Sequence, residues 1–256
     1  MSDEAKVAAV IPAYNEATTI RDIVARTGRQ VPHVIVVDDG SSDATASESS
    51  SAGAEVIQNV RNLGKSASLW RGIDAALAHS VSAVVTLDGD GQHRPEDIAR
   101  LIQAARDYPQ HIIIGARLHE RAAMPAARYY ANRFANFWIA WAAGYPILDS
   151  QSGLRLYPST LLRALPPNLR TAGSFVFESE VLIEAAYIGV RSVFIPVAAI
   201  YRTDSRPSHF RGRDIARITR MVAAHLIRRG LHLRGLISSL RGRPIRIERA
   251  KPDQPD

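Results

Sequence analysis

The chain has 256 residues, of which 46% are hydrophobic, and it carries a formal net charge of +7. This length and composition favour one globular domain, or one domain with an extension, and the absence of cysteine excludes disulfides and thiolate metal sites. The longest uncharged stretch, Phe134–Leu148, is shorter than the ~20 apolar residues that a spanning helix needs, so we expect no transmembrane helix.

Short apolar runs alternate with segments of helical spacing between residues 7 and 115. The runs that predict strands are Val7–Ile11, Val34–Val37, Glu55–Ile57, Ala83–Leu87 and Ile112–Ile114. The segments that predict helices are Ala17–Thr27, Asp43–Ala52, Lys65–His79 and one that begins at Pro95. This alternation is typical of an α/β fold, in which helices cover both faces of a mostly parallel sheet.

The second half of the chain is less regular. We predict a helix rich in aromatic residues at Pro125–Ala143, a loop that enters a strand at Asp149–Arg155, a helix at Glu178–Tyr187 and a strand at Ser192–Ile200.

Three of the predicted strands end in polar groups, at Pro12–Glu16, Asp38–Ser41 and Asp88–Asp90. Ligands of parallel sheets bind beyond the carboxyl ends of the strands. If the sheet is parallel, these three segments lie along one edge and form one site.

Asp88 and Asp90 are two residues apart, so in an extended segment their side chains point the same way. Like charges this close repel, and a shared cation resolves the conflict. Gln92 can supply a third oxygen, and oxygen ligands favour Mg²⁺ or Mn²⁺. The alternative is an acidic, glycine-rich turn that binds no ion.

Two further motifs each have a structural alternative. Asp38 and Asp39 can accept hydrogen bonds from a base or ribose, or form an Asx turn before a helix capped by Asp43. Backbone amides near Lys65 can meet phosphate, or form a simple turn into a helix. His93, beside the aspartate motif, either contacts a ligand, supports the ligand-binding residues from behind, or lies on the surface.

The motifs occur in a characteristic order. They are Pro12-Ala13-Tyr14-Asn15-Glu16, Asp38-Asp39-Gly40-Ser41-Ser42-Asp43, Asn62-x-Gly64-Lys65, Asp88-Gly89-Asp90-Gly91-Gln92-His93-x-Pro95-Glu96, Gly115-Ala116-Arg117, Asp149-x-x-x-Gly153-Leu154-Arg155 and Phe177-Glu178-x-Glu180. Over roughly residues 7–210 this set resembles the family 2 inverting glycosyltransferases of the GT-A (Rossmann-like) fold, and within them the dolichyl-phosphate mannose synthase branch.

The resemblance implies a role for each motif residue. The nucleotide sugar would be bound by Pro12, Tyr14, Glu16, Asp38, Asp39, Gly40, Lys65, Asp88 and Gly89. The metal ligands would be Asp88, Asp90 and Gln92. The acceptor would be bound by Arg117, Arg155, Arg202, Arg206 and His209. The catalytic set would be Asp88, Asp90, Arg117, Arg202, Glu178 and Asp149.

The implied reaction moves a hexose, most plausibly mannose from GDP-mannose, to polyprenyl or dolichyl phosphate. A phosphate monoester has its second pKa near ~6 and is ionised at pH 7, so it needs positioning rather than a base. The alternative acceptor is a hydroxyl of a lipid head group or saccharide, glycosylated from a UDP- or GDP-sugar. It needs a general base, for which Asp149, Glu178 and Glu180 are candidates. The arginines that follow Arg202 favour the phosphate.

We expect a glycosyltransferase domain at residues 1–210, an amphipathic membrane-surface extension at 211–250 and a disordered tail at 251–256. Within Asp214–Arg229, one helix face carries Ile215, Ile218, Val222 and Leu226, and another carries arginines. Such a helix can lie in an anionic membrane interface. The alternative is an ordinary helix that packs on the domain with its arginines in water.

The expected partners are a nucleotide diphosphate sugar, a polyprenyl phosphate or other lipid acceptor, and an anionic membrane surface. Residues 1–16 lack a basic segment followed by an apolar one, so we expect a cytoplasmic protein at the cytoplasmic face of a membrane. A nucleic-acid-binding protein and a non-catalytic sugar-nucleotide-binding relative are the rival interpretations. The chain has no recognised nucleic-acid-binding motif, and its acidic strand ends repel phosphate, so we expect no nucleic acid partner.

Overall fold

The computed structural model describes residues 6–117, 126–166, 169, 177–198, 200 and 212–247. These residues form one eight-stranded sheet with the strand order β3-β2-β1-β4-β6-β5-β7-β8. The strands are Val7–Ala13 (β1), His33–Asp38 (β2), Glu55–Gln58 (β3), Ala83–Thr86 (β4), Ile112–Ala116 (β5), Arg155–Pro158 (β6), Ser192–Pro196 (β7) and Ile245–Arg246 (β8).

Helices connect most of these strands. They are Ile20–Thr27 (α1), Thr45–Ser51 (α2), Lys65–Ala78 (α3), Asp97–Asp107 (α4), Ala126–Ala143 (α5), Ser159–Ala164 (α6), Phe177–Tyr187 (α7), Gly212–Arg228 (α8) and Leu233–Arg241 (α9), with a 3₁₀ turn at Gly230–His232 before α9. In the part of the chain that the structure describes, no helix is long and apolar enough to cross a membrane.

The sheet is parallel except at β6, which runs antiparallel to both β4 and β5. The predicted α/β class with a mostly parallel sheet is therefore confirmed. Strand β1 is apolar along its whole length because both faces of the sheet are covered. In β1, Ala8 and Val10 join the core on one face, whereas Val7 and Ile11 join the core on the other.

Several predicted boundaries shift in the structure. Helix α2 begins at Thr45 rather than at Asp43, and the Asp43 carboxylate accepts a hydrogen bond from the Thr45 amide at 3.0 Å. Strand β7 ends at Pro196 rather than at Ile200, beside Ala116, the last residue of β5; the Val197 amide adds one more hydrogen bond to the Ala116 carbonyl at 3.0 Å.

The apolar face predicted for α8 is buried, which corrects part of the membrane-surface prediction. Ile218, Val222 and Leu226 belong to the same core cluster as residues of α5 and α7. Helix α8 therefore packs on the domain, and these three side chains do not face a membrane. The side chain of Ile215 and the predicted tail at 251–256 lie outside the described residues.

Candidate active site

The carboxyl ends of β2, β1 and β4 lie side by side, because β1 pairs in parallel with both neighbours. The Asp39 amide donates to the Ala13 carbonyl at 2.8 Å, and the Thr19 hydroxyl donates to the Gly89 carbonyl at 2.7 Å. The three polar segments predicted to converge are thus joined by hydrogen bonds at one edge of the sheet.

The loop after β1 is held against the loop after β2. The Asn15 amide donates to Ser41 Oγ, and the Ser42 amide donates to Asn15 Oδ1, both at 2.8 Å. The Glu16 amide donates to Thr45 Oγ1 at 2.8 Å. Tyr14 is exposed between these anchored residues, and Pro12 and Glu16 are half-buried. The nucleotide-binding residues predicted in this segment therefore border an accessible, fixed surface.

Asp39 organises the segment that leads to Lys65. Its buried carboxylate accepts hydrogen bonds from the amides of Leu63 at 2.8 Å and Gly64 at 2.9 Å, and from Asn59 Nδ2 at 2.7 Å. Gly40 adopts a left-handed conformation with φ of 73°, and a Cβ there would lie 2.9 Å from Arg61 Cα. In this structure the aspartate and the glycine fix the start of α3.

Lys65, the first residue of α3, joins two acidic side chains. Its Nζ lies 2.7 Å from Asp88 Oδ1 and 2.7 Å from Glu178 Oε1. Burial alone would raise the pKa of Asp88, but the charge of Lys65 outweighs burial and lowers it. Burial alone would lower the pKa of Lys65, but Asp88 and Glu178 raise it above its ordinary value. The third member of this cluster, Glu178, comes from α7.

Arg117 and Asp149 form a second buried pair. The guanidinium donates from Nε to Asp149 Oδ2 at 2.9 Å and from Nη2 to Oδ1 at 3.1 Å. The amides of Arg117 and Gln151 also donate to this carboxylate. Burial alone would raise the pKa of Asp149, but the Arg117 charge lowers it. Four donors engage Asp149, so in this arrangement it orients Arg117 and is poorly placed to act as a general base.

Arg155 does not face the site, which corrects its predicted acceptor-binding role. It is fully buried, and its guanidinium donates to the carbonyls of Ser152 at 2.8 Å, Glu178 at 2.6 Å and Ser150 at 2.7 Å. A buried arginine whose guanidinium donates to three main-chain carbonyls has a structural role. It joins the loop that carries Asp149 to the first turn of α7.

The predicted metal ligands Asp88, Asp90 and Gln92 follow β4. The Gln92 amide donates to Asp90 Oδ1 at 3.0 Å, which turns the loop tightly. The described residues contain no group of three His, Cys, Asp or Glu side chains that could hold a metal ion. Two carboxylates and an amide oxygen nevertheless fit Mg²⁺ or Mn²⁺, which commonly complete their coordination with phosphate oxygens and water.

His93 is buried beside this loop. Its Nδ1 finds no hydrogen-bond partner among the described residues, and burial lowers its pKa to about 4. The imidazole is therefore neutral at pH 7. Burial excludes a surface position for His93 and leaves a ligand contact or a supporting position behind the site.

The remaining predicted residues fall elsewhere. Glu180 lies on α7 with Oε1 3.8 Å from His225 Nε2, away from the pair that Glu178 makes with Lys65. Arg202, Arg206 and His209 lie outside the described residues, so their roles stay predictions.

Sequence reasoning missed two residues that hold the site together. Thr19 anchors Gly89, as described above. Asn136 on α5 donates to the Leu148 carbonyl at 2.8 Å and accepts from the Ser150 amide at 2.9 Å, so it fixes the loop on both sides of Asp149. Neither residue carries a local sequence signal, because each acts on a segment distant in the chain.

Comparison with known proteins identifies related chains. The family model described as glycosyl transferase family 2 matches residues 8–154. A UDP-N-acetylglucosamine–dolichyl-phosphate N-acetylglucosaminyltransferase from Methanococcus voltae is 30% identical over 213 residues, covering 75% of this chain and 84% of that protein. Polyprenol monophosphomannose synthase from Mycolicibacterium smegmatis is 29% identical over 199 residues, covering 73% and 75%.

The fold also matches a solved structure. Glucosyl-3-phosphoglycerate synthase from Mycobacterium tuberculosis, crystallised with Mn²⁺, UDP-glucose and phosphoglyceric acid, superposes with a TM-score of 0.64. The two chains are 24% identical, and the match covers 88% of this chain and 79% of that one. This likeness confirms the predicted GT-A-like fold, and the sequence relatives confirm the resemblance to the dolichyl-phosphate mannose synthase branch.

Proposed function

Because the chain belongs to glycosyl transferase family 2, we propose that it transfers a hexose from a nucleotide diphosphate sugar to polyprenyl or dolichyl phosphate. The observation that carries this proposal is that Asp88 meets both Lys65 and the loop of the Arg117–Asp149 pair: Lys65 Nζ contacts the Asp88 carboxylate, and Gly153, four residues after Asp149, lies against it. The names of the two relatives support a lipid phosphate as acceptor. We propose GDP-mannose as the donor, with a UDP-sugar as the alternative.

The donor is bound at the carboxyl ends of β1, β2 and β4 in this proposal. Pro12, Tyr14 and Glu16 border the nucleotide, and Asp39 keeps the segment before Lys65 in place. Asp88, Asp90 and Gln92 would hold Mg²⁺ or Mn²⁺. When bound, the ion stabilises negative charge on the diphosphate leaving group.

Transfer breaks the bond between the anomeric carbon and the diphosphate, so negative charge grows on the leaving oxygen. Preorganised cations at that oxygen lower the barrier more than mobile ones do. We assign Lys65, at the start of α3, to that oxygen. Arg117, which two hydrogen bonds hold to Asp149, is assigned to the acceptor instead.

The acidic residues of the site favour a phosphate acceptor over a hydroxyl. A hydroxyl acceptor needs a free carboxylate as base, whereas Asp149 is bound by four donors and Glu178 is paired with Lys65. A lipid phosphate attacks as an anion, so an arginine that positions it suffices. We assign that role to Arg117 and, from outside the described residues, to Arg202.

A lipid acceptor requires contact with a membrane, and α5 and α9 offer a surface for it. Helix α9 packs beside α5, where Trp141 Nε1 donates to the Leu231 carbonyl at 2.9 Å. Each helix exposes an apolar stripe with helical spacing, and these six side chains are between 41% and 65% exposed: Tyr130, Phe134, Phe137, Leu233, Ile237 and Leu240.

Exposed arginines accompany this α5–α9 surface, as anionic lipid head groups require. Arg234, Arg241 and Arg243 lie on or directly after α9. We propose that the α5–α9 surface, and not the buried face of α8, docks on an anionic membrane. The lack of cysteine fits the cytoplasmic face of that membrane.

A thermal unfolding panel tests the donor part of the proposal. The protein is heated with GDP-mannose, UDP-N-acetylglucosamine or UDP-glucose, each with and without Mn²⁺. A ligand that binds the folded state raises Tm by mass action. We expect GDP-mannose with Mn²⁺ to give the largest rise.

Two variants sharpen that panel. D90N is expected to lose the Mn²⁺-dependent part of the rise, whereas D22N, which alters a carboxylate whose side chain is 69% exposed on α1, is expected to keep it. A larger rise with a UDP-sugar refutes GDP-mannose as the donor. No rise with any sugar nucleotide refutes the enzyme proposal.

A further inference from the structure

The Asp88 carboxylate is confined by two neighbours. Lys65 Nζ contacts Oδ1 at 2.7 Å. On the other side lies Gly153, where a Cβ would come within 2.6 Å of the same Oδ1 and closer still to Oδ2. Asp88 therefore cannot swing away from Lys65 without meeting the Gly153 main chain.

Lys65 is confined as well. The residue before it, Gly64, has φ of 93° and donates its amide to Asp39 Oδ2 at 2.9 Å, so the start of α3 is fixed. Glu178 holds the ammonium from α7 at 2.7 Å, and the Phe177 amide donates to Ser66 Oγ at 3.4 Å alongside. Release of Asp88 from Lys65 therefore requires the lysine side chain itself to turn.

These contacts place the ammonium of Lys65 on a carboxylate that the proposed function assigns to a divalent metal ion. An ammonium and a metal ion cannot both take the same lone pairs of Asp88 Oδ1 at full strength, and two cations this close also repel. A nucleotide diphosphate changes this balance, because its oxygens give the ammonium a third anionic partner besides Asp88 and Glu178.

We propose that Lys65 makes divalent metal binding depend on the nucleotide diphosphate, by holding Asp88 until the diphosphate draws the ammonium away. This inference rests on the proposed function for the identity of the donor. It assigns to Lys65 a coupling role beyond phosphate contact. Glu178 is then the residue that keeps Lys65 close to the site, and not a base.

The coupling is measured by Mn²⁺ titration of the full chain, in which the electron paramagnetic resonance signal reports free Mn²⁺. Each titration is done alone and with saturating GDP or UDP. For the native protein we expect weak binding of Mn²⁺ alone and an affinity at least about tenfold higher with nucleotide, equivalent to ~1.4 kcal/mol of coupling.

In K65M we expect Mn²⁺ alone to bind at least several-fold more tightly than to the native protein, and the gain from nucleotide to shrink. K65R keeps the charge and is expected to bind Mn²⁺ alone as weakly as the native protein. R61M removes an exposed charge from the same loop and serves as the matched control, with native behaviour expected.

E178Q keeps the proposal testable if K65M does not fold. It leaves Lys65 with Asp88 as its carboxylate partner, and we expect Mn²⁺ alone to bind more weakly than to the native protein. An Mn²⁺ affinity in K65M that equals or falls below the native value overturns the coupling role, as does an unchanged affinity in E178Q. Failure of GDP and UDP to bind the native protein overturns instead the proposed donor class.

Discussion

The Arg117 guanidinium lies against the Asp149 carboxylate through two nearly parallel hydrogen bonds, of 2.9 Å from Nε to Oδ2 and 3.1 Å from Nη2 to Oδ1. Bidentate geometry fixes the plane of the guanidinium as well as its position. Asn136 and Arg155 fix the loop that carries Asp149 from two other directions. Asp149, Asn136 and Arg155 therefore act together to orient Arg117.

Substitution D149N tests this orientation. The amide retains the shape of the side chain but repels one guanidinium donor and loses the charge, so Arg117 becomes mobile. We expect kcat/KM for the lipid phosphate to fall about 100-fold, which corresponds to ~2.7 kcal/mol of lost transition-state stabilisation. The donor Kd is expected to stay within about twofold, as measured by titration with GDP-mannose.

The outcome of D149N also separates the two roles considered for Asp149. If Asp149 is a general base, the loss of kcat/KM in D149N depends on pH. Activity then recovers as pH rises, because solvent deprotonates the acceptor. An orienting residue gives the same loss at every pH between 6 and 9. A native kcat/KM in D149N contradicts both roles.

Burial of His93 predicts a pH dependence of stability. Its pKa is lowered to about 4 in the folded protein, so the unfolded chain binds this proton more readily between about pH 6.5 and 4. Stability is therefore lost as pH falls through that window. We expect the free energy of unfolding to drop from pH 7 to 5 by on the order of 1–2 kcal/mol more in the native protein than in H93Q.

Urea unfolding at the two pH values measures this difference. Equal losses in H93Q and native protein contradict the burial argument.

Close packing of α3 on the sheet gives a stability prediction. A Cβ at Gly72 would lie 3.0 Å from Val37 Cγ2 and closer to Val10 Cγ1. Overpacking of this kind costs about 1–3 kcal/mol. We therefore expect G72A to lower the free energy of unfolding by that amount in urea denaturation.

Gly28 is the matched control for Gly72. It follows α1 with φ of −62°, and a Cβ there would come no nearer than 3.4 Å to other atoms. G28A is expected to change the free energy of unfolding by less than about 0.5 kcal/mol. A smaller cost in G72A than in G28A means that α3 does not approach the sheet this closely.

The α5–α9 surface predicts a difference in membrane binding. We expect F134S/L240S to bind phosphatidylglycerol vesicles at least about fivefold more weakly than the native protein in co-sedimentation, because each change removes exposed apolar area. V60S, which alters an exposed apolar residue before α3, is the control and should bind normally. Retained binding in the double variant means that another surface meets the membrane.

The strand and helix order could be predicted because β1, β2 and β4 are buried on both faces and consist mostly of apolar residues. The loop predicted to enter a strand at Asp149–Arg155 leads into β6, but the antiparallel direction of that strand could not be predicted. Strand β6 is only four residues long, and its first residue is the fully buried Arg155. A buried arginine whose acceptors are main-chain carbonyls gives no signal in a sequence.

The location of the site at the strand ends could be predicted from the sequence, but most of its side-chain contacts could not. Parallel pairing of β1 with β2 and β4 brings the polar strand ends together, which the alternation of elements already indicates. The contact of Lys65 with Asp88 and Glu178 joins three distant parts of the chain. It depends on how α3 and α7 pack, and no local pattern encodes that packing.

The sequence also could not show what the apolar face of α8 packs against. An amphipathic helix with arginines has one sequence pattern whether its apolar face meets lipid or a core. Here Ile218, Val222 and Leu226 fill the core beside α5, and the exposed apolar stripes belong to α5 and α9.

The most direct test of the proposed reaction compares two acceptors that differ by one group. The protein is incubated in vesicles with labelled GDP-mannose, Mn²⁺ and either polyprenyl phosphate or the matching polyprenol, and the lipid fraction is counted. We predict labelled lipid with polyprenyl phosphate, no label above background with polyprenol, and none with either acceptor when chelator replaces Mn²⁺. Label on polyprenol at a comparable rate, or no label on polyprenyl phosphate, contradicts the proposed reaction.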